Sequence, residues 1–395
     1  MASIPSSPIV VIEAPETPRA LATVLAEAAA SGNAVAPVGG GTKLQFGNPL
    51  SRQTVQLSTA KLNRVLAFEP DDLTLSVETG ATMASVWNLL GERGLTIPID
   101  VSAPEIETIG GLIATGLCGP RRFGSGSLRD ALIGIQAAYP DGTLGSAGGM
   151  VVKNVSGFDL MRMHLGALGT LGVVVSANFK VVPAARAEAT VIIERETIDQ
   201  LEGDRLAIHG GRIRPIAYEA LRVDDRWMES IRIEGRPATV DQLARELGDR
   251  LGSAKTLSMD ESRQFWSDYV RLEALPTDQD ILTLQIRGRP SEISTTVATA
   301  LSTFDDASDI RVSLGLGTVR LVVPSGAERA QEHAAAIAAL RTSGRNVLLL
   351  TAPNAVHASI EAFGTPESNL ELMRQLKKQF DPWSALNPGR VIPEL

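Results

Sequence analysis

The stretch Pro37-Val-Gly-Gly-Gly-Thr42 (PVGGGT) follows the short apolar run Ala34-Val35-Ala36 and precedes a polar, irregular segment. Three consecutive glycines cost folding entropy, because glycine has the most conformational freedom to lose. A strand that runs straight into so bare a backbone suits a ligand that main-chain groups approach closely. Phosphate is the obvious one: amides in a tight turn converge on an anion, and only glycine leaves it room. No G-x-G-x-x-G occurs in the chain, so the Rossmann fingerprint is absent, and no Gly-Lys pair occurs, which excludes a Walker A loop.

PVGGGT has company. Thr108-Ile-Gly-Gly-Leu-Ile-Ala-Thr-Gly116 is a second cluster, and Gly119-Pro-Arg-Arg-Phe-Gly-Ser-Gly-Ser-Leu-Arg-Asp130 a third. Gly166-Ala-Leu-Gly-Thr-Leu-Gly172 is a fourth, leading directly into Val173-Val-Val175. One such cluster reads as a tight turn of an α/β protein. Four before residue 175, and few after, suit a long ligand that touches backbone at several loops, such as a dinucleotide.

The remainder sets the frame. With 395 residues, two domains are the natural expectation. A net charge of −8 and a pI near 5.2 argue against a nucleic-acid surface, while leaving room for a local basic pocket. The single cysteine, Cys118, forms no intramolecular disulfide and belongs to no zinc spacing, which fits a reducing cytoplasm. The N-terminal MASIPSSPIVVIEAPE lacks the basic and apolar regions of a signal peptide. The uncharged stretch Met163 to Phe179 has nearly the length of a membrane span, but its glycines and histidine make it a turn feeding a buried strand.

Thr17-Pro18 predicts the start of a helix reaching about Ser31, and Leu73–Glu78 alternates as a half-buried strand. Met83, Val86, Trp87 and Leu90 fall at helical spacing, and Ala131–Tyr139 reads as a strand before a Pro-Asp-Gly turn. Beyond Pro183, two cycles of strands and helices, from about 187 and again from Ile281, predict an antiparallel sheet backed by helices, with a weak suggestion of duplication. Ser368-Asn-Leu-Glu371 reads as a capping box for a last helix, with Lys377-Lys378 near its C-terminal end. His333, in the charged run Glu328-Arg-Ala-Gln-Glu-His, is expected in solvent.

PVGGGT resembles the pyrophosphate loop of the FAD-binding fold shared by vanillyl-alcohol oxidase and p-cresol methylhydroxylase, the PCMH type. TIGGLIATGLCGP resembles that family's second flavin loop. GLCGPRRFGSGSLRDALIG, GGMVVKNVSGFDLMRMHLGALGTLGVVV and FDPWSALNPGRV are similar to the FAD-binding subunits of bacterial glycolate oxidases. The resemblance is specific over residues 35–183 and 376–390, and between them it extends only to length and alternation.

It implies an α+β chain: a two-subdomain PCMH-type FAD-binding domain over 1–185, a smaller antiparallel-sheet α+β cap domain over 186–362, and a helix and tail, 363–395, returning to the first. It implies that Pro37, Val38, Gly39, Gly40, Gly41 and Thr42 wrap the pyrophosphate. Thr108, Gly110, Gly111, Ala114 and Thr115 would line the flavin ring and ribityl chain, Ser127 and Asp130 a third contact region, and Gly172 and Val173 the adenine. No histidine stands beside the first loop, so FAD is expected without a covalent bond. Arg390 and Asn387, in the tail, are expected near the ring, where a cation favours reduced flavin. The implied partners are a second, D-lactate-dehydrogenase-like flavoprotein, an iron–sulfur subunit and a small 2-hydroxy acid. The implied place is the cytoplasm, meeting the membrane's inner face only through the complex.

Two kinds of cation stay open at this level. Arg121-Arg122 are either surface residues or compensation for the pyrophosphate, and Lys153, Asn154 and Arg162 either face the flavin or tie loops together. Dehydrogenating a 2-hydroxy acid needs a group for the carboxylate, usually Arg, and a base for the hydroxyl proton, usually His. The chain has four histidines, His164, His209, His333 and His357, with no paired spacing. His164 alone lies in the flavin-proximal half, as a base or as a packed residue. The second domain therefore reads as chemically bare. Three functions remain: a subunit of a glycolate or 2-hydroxy acid oxidase complex, a stand-alone FAD oxidoreductase for another hydroxylated substrate, or an assembly subunit without cofactor.

Overall fold

The structure, a computed structural model, describes residues 12–150, 159–252, 254–278, 280–364 and 368–393. Lys153 and Asn154 lie outside them.

Among the described residues the N-terminal part holds two small sheets and a two-stranded pair, Leu95–Thr96 with Val182–Pro183. Ile12–Glu13, Thr54–Ser58 and Ala34–Val38 form a parallel sheet in that order. The helix Pro18–Ala30 covers it, opened as its sequence predicts by Thr17, whose hydroxyl accepts from Ala20 N at 3.1 Å. The second sheet is antiparallel, in the order Val65–Glu69, Thr74–Glu78, Val173–Lys180, Leu132–Ala138, Leu144–Gly148. Helix Met83–Gly91 packs Met83, Val86 and Leu90 into the core with Leu75, Val77 and Phe179. Leu21, Leu25, Val35, Leu57, Val173, Val175 and Leu386 close the seam between the two sheets.

The second part is one eight-stranded antiparallel sheet. Its order is Lys255–Leu257, Ala187–Arg195, Arg226–Gly235, Ala217–Val223, then Asp309–Ser313, Thr318–Pro324, Ile281–Arg287, Asn346–Thr351. Each group of four strands is a βαββαβ unit, and the second group mirrors the first across the Ala217–Val223 and Asp309–Ser313 pairing. The duplication suggested by the sequence pattern is thus present in the topology. Side chains alternate across each strand. Val191, Ile231, Leu284, Val319 and Leu321 face the helices, while Glu188, Arg232, Glu219, Arg311 and Arg320 occupy the alternate positions, toward the N-terminal part.

A buried ionic cluster joins the two parts. Arg121 meets Asp100 at 3.2 Å, Glu234 at 2.6 Å and Glu188 at 3.6 Å, and Arg232 meets Glu188 at 2.9 Å. Arg121 is therefore committed to carboxylates, and neither reading given to it in the sequence, surface or pyrophosphate, describes it. Arg162 pairs with Asp159 on the surface.

The last helix runs Leu370–Phe380 behind Asn369, and the capping box expected at Ser368 does not form: no side chain caps it. Lys377, expected near the dipole end, is buried. Its Nζ donates to Thr170 O at 2.9 Å, Leu386 O at 2.8 Å and Asp381 Oδ2 at 2.7 Å, and burial lowers its pKa. Asp381 in turn accepts from Ala385 N and Leu386 N at 2.9 and 2.8 Å. Thus pinned, the tail bonds both sides of Val35, with Val35 N donating to Ala385 O and Asn387 N to Val35 O. The C-terminus so reaches the strand that carries the glycine loop.

Candidate functional site

Gly39, Gly40, Gly41 and Thr42 line a cavity with Lys43, Thr108, Gly111, Ala114, Thr115, Asn387 and Arg390. Two of the glycines are compelled by packing. A Cβ at Gly39 would stand 2.0 Å from Thr108 Oγ1, and one at Gly40 would stand 1.9 Å from Ile106 O. Gly41 has open space but a φ of +75°, which favours glycine. The amides of Gly39, Gly40, Gly41 and Thr42 donate to no protein acceptor among the described residues. Four successive donors without protein partners, on half-buried to exposed backbone beside a cavity, are free to meet a polyanion.

Arg390 supplies the charge. Its Nη1 donates to Asn48 O at 3.0 Å, its stem packs on Gly47, and it meets no carboxylate among the described residues. Burial pushes it down to about 10, the mark of a guanidinium short of compensation. Asn387, held at a φ of +41°, donates from Nδ2 to Leu168 O at 2.7 Å and so fixes the 166–172 turn.

The second loop spends its polar groups locally. Thr108 caps helix Ile109–Thr115 by accepting from Gly111 N at 3.2 Å, Gly110 N donates to Thr79 O at 2.8 Å, and Thr115 Oγ1 donates to Gly111 O at 2.9 Å. Gly172 and Val173 line an adjoining cavity with Pro37, Val38, Gly39, Gly110 and His164. His164 is buried, its Nε2 3.1 Å from the Tyr139 hydroxyl, and desolvation pushes it down to about 4, so it stays neutral. Ser127 and Asp130 stand apart from the cavities, forming a reciprocal cap on helix Leu128–Ala131, with Ser127 N 2.8 Å from Asp130 Oδ2. Hydrogen bonding from Ser127 holds the Asp130 carboxyl below its usual range.

The glycine cavity shares Lys43 and Glu107, an ion pair, with a second cavity between the two parts. Its far wall is the eight-stranded sheet and helix Met259–Arg271, presenting Glu219, Glu273, Gln285, Arg311 and Arg320. None of the four histidines lines it. His333, expected in solvent, is buried against Phe304 with Nδ1 2.7 Å from Ser325 Oγ. The sequence reading missed Lys43, Glu107 and the whole sheet wall. Lys43 and Glu107 do stand directly beside the two glycine clusters in the chain. The sheet residues carry no local signal.

Residues 9–148 match the FAD binding domain family. The chain is 29% identical over 358 residues, 90% of its length and 92% of the relative's, to glycolate oxidase subunit GlcE of Escherichia coli (strain K12). It is 26% identical to a D-lactate dehydrogenase of Archaeoglobus fulgidus, over 90% of this chain and 85% of that one. It is 32% identical to glycolate oxidase subunit GlcD of Bacillus subtilis (strain 168), over 47% and 40% respectively. Among solved structures, an alkyldihydroxyacetonephosphate synthase superposes with a TM-score of 0.71 at 16% identity, covering 95% of this chain and 75% of that one, which shows the fold. The chain has a PCMH-type FAD-binding domain and an α+β cap, it is an FAD-dependent oxidoreductase, and FAD is its cofactor.

Proposed function

We propose that the chain is the FAD-binding subunit of a glycolate or related 2-hydroxy acid oxidase complex, oxidising glycolate to glyoxylate and passing electrons through its flavin to an iron–sulfur partner. The observation that carries the reading is the run of four unpaired amides at Gly39–Thr42 beside Arg390, a cation without a carboxylate. The similarity along nine-tenths of the chain to a glycolate oxidase subunit supports the substrate class, and the GlcD relative supports a partner flavoprotein.

In this reading the amides of Gly39, Gly40, Gly41 and Thr42 hold the diphosphate, and Arg390 balances its charge. Thr108, Gly111, Ala114 and Thr115 line the path toward Lys43 and Glu107. Lys377 and Asp381 keep the tail, and with it Arg390, against Val35. Bound FAD supplies a two-electron acceptor for the substrate carbon. No histidine lines the glycine cavity, which supports a flavin held without a covalent bond. Among the described residues no helix is long and apolar enough to cross a membrane; the complex reaches a membrane, where it does, through its partners.

The test is copurification from the native host. The expected result is a heteromeric assembly with a second flavoprotein and an iron–sulfur subunit, glycolate-dependent dye reduction, and flavin released from this chain by acid precipitation. A chain that purifies as a lone, fully active enzyme on another hydroxylated substrate would overturn the complex. That second reading draws on the cavity against the sheet, which is less bare than the histidine count implies.

A further inference from the structure

The cavity between the two parts encloses about 110 Å³, several times what one water needs, and so suits a ligand of about five to ten heavy atoms. Most charged groups on its wall are already paired. Lys43 meets Glu107. Arg311 holds Asp309 through Nε and Nη2 at 2.8 and 2.6 Å and donates from Nη1 to Tyr269 O at 3.2 Å. Asp100 meets Arg121 and Arg232. Glu219 accepts from Ser313 Oγ at 2.7 Å and Tyr269 Oη at 3.2 Å, and burial raises its pKa well above the usual carboxylate value.

Arg122, also on the wall, is exposed and has no ion pair among the described residues, whereas Arg320 and Glu273 are unpaired and half-buried. Arg320 stands on strand Thr318–Pro324, and its one hydrogen bond among the described residues is a long 3.4 Å contact from Nη2 to Ala274 O. Its Nε is buried without a partner among those residues. Burial lowers its pKa, as expected of a desolvated cation without a direct counter-ion. Glu273 follows helix Met259–Arg271 and faces the N-terminal part, where a Cβ at Gly119 would stand 3.3 Å from its Oε2. Its carboxyl has no hydrogen bond or ion pair among the described residues, and it makes no ion pair with Arg320. Burial raises it to about 7, against the pull of Arg320 and Arg311 and with the push of Asp100 and Asp309. A guanidinium with free donors and a carboxyl with free acceptors share one small cavity without touching, which is the arrangement for a ligand that bridges them.

We infer that this cavity is a subsite for a small 2-hydroxy carboxylate, with the carboxylate on Arg320 and the hydroxyl directed to Glu273. The guanidinium fork offers Nε and Nη donors to both carboxylate oxygens. Glu273 accepts the hydroxyl hydrogen. The inference rests on the FAD-oxidoreductase reading and deepens it: this chain holds its own substrate, so the lack of paired histidines does not leave the cap domain bare.

The experiment is calorimetric titration of the FAD-loaded chain with glycolate, acetate and ethylene glycol. The expected order places glycolate tightest. Arg320→Met weakens glycolate about tenfold or more and leaves ethylene glycol unchanged, and Arg320→Lys, a point charge without the fork, falls between. Glu273→Leu removes the preference for glycolate over acetate, while Glu273→Gln keeps part of it. Flavin absorbance and melting temperature certify folding for each variant. Glycolate binding that is absent, or unchanged in both Arg320 variants, overturns the subsite; an unchanged glycolate-to-acetate ratio in Glu273→Leu overturns the hydroxyl assignment. The wider reading is judged separately in the copurified complex. Glycolate turnover with a KM that ignores Arg320→Met leaves the reading standing and removes the subsite. Arg320-dependent binding without turnover in the complex does the reverse.

Discussion

Replacing Arg390 with methionine should move two measurements in opposite directions. In the protein without FAD, the guanidinium is a buried cation whose pKa burial lowers to about 10. That depression corresponds to about 3 kcal/mol of unfavourable environment. Methionine keeps the stem that packs on Gly47 and forfeits the 3.0 Å bond to Asn48 O, a loss of about 1 kcal/mol. FAD-free Arg390→Met should therefore be more stable by about 1–2 kcal/mol, a rise of about 2–8 °C in melting temperature for a unit this size. FAD affinity should fall, because a charge-assisted bond to the diphosphate is worth about 1.5–3 kcal/mol, or about 10–100-fold in Kd. Differential scanning fluorimetry of stripped protein, paired with flavin fluorescence titration, reads both. A variant that melts lower without FAD and binds FAD as tightly as the parent would show the guanidinium to be a structural tie, and the case for an anion site beside the glycine loop would fail with it.

Other residues give independent checks. Asp381→Ala leaves the Lys377 ammonium buried and two tail amides unpaired, so a loss of about 3–5 kcal/mol is expected in urea unfolding, with weakened FAD retention because Arg390 rides on that tail. Gly40→Ala drives a Cβ into Ile106 O and should abolish FAD binding, whereas Gly41→Ala meets open space and should lose about 1 kcal/mol through its positive φ; equal effects in equilibrium dialysis would argue against that packing. His164 is held to about 4 when folded, so the unfolded chain binds more protons between its ordinary value near 6.5 and 4. Stability should then fall by about 3 kcal/mol on acidification through that window, and in His164→Gln this share of the loss should vanish from the pH series of unfolding free energies.

Much of the flavin side is legible because its causes are local. A strand, three glycines and a threonine announce a bare loop, and the loop forms where the sequence says. What the chain does not announce is why Gly39 and Gly40 must be glycine. The atoms that exclude a Cβ belong to Thr108 and Ile106, and a tertiary approach of that kind leaves no mark within PVGGGT. The tail shows the same limit. Lys377 reads as a solvated cation at a helix end, and only the folded chain shows Thr170 O and Leu386 O converging on it. His333 is a different kind of miss. Its neighbours along the chain are charged, but Ala330, His333, Ala334, Ile337 and Leu340 recur at helical spacing and are the buried face of helix Ala330–Thr342. The period carried the answer and the local composition obscured it.

The cap domain explains why its chemistry stayed hidden. Alternation along each strand marks which residues leave the helical face, but not what they meet. Arg320 and Glu219 lie in different βαββαβ units, and Glu273 lies in the segment between those units. They reach one cavity because Ala217–Val223 and Asp309–Ser313 pair edge to edge, with Glu219 opposite Ser313. That pairing is what converts two units into one continuous sheet, and the cavity sits over it. A cavity placed over the join draws polar groups from both halves and from their connector, so its residues are scattered by construction. A search for paired histidines or any compact motif is blind to such a site. The register of one antiparallel pairing is what assembles it, and a one-residue slip of Asp309–Ser313 against Ala217–Val223 would turn Arg311 to the helical face and away from Glu219.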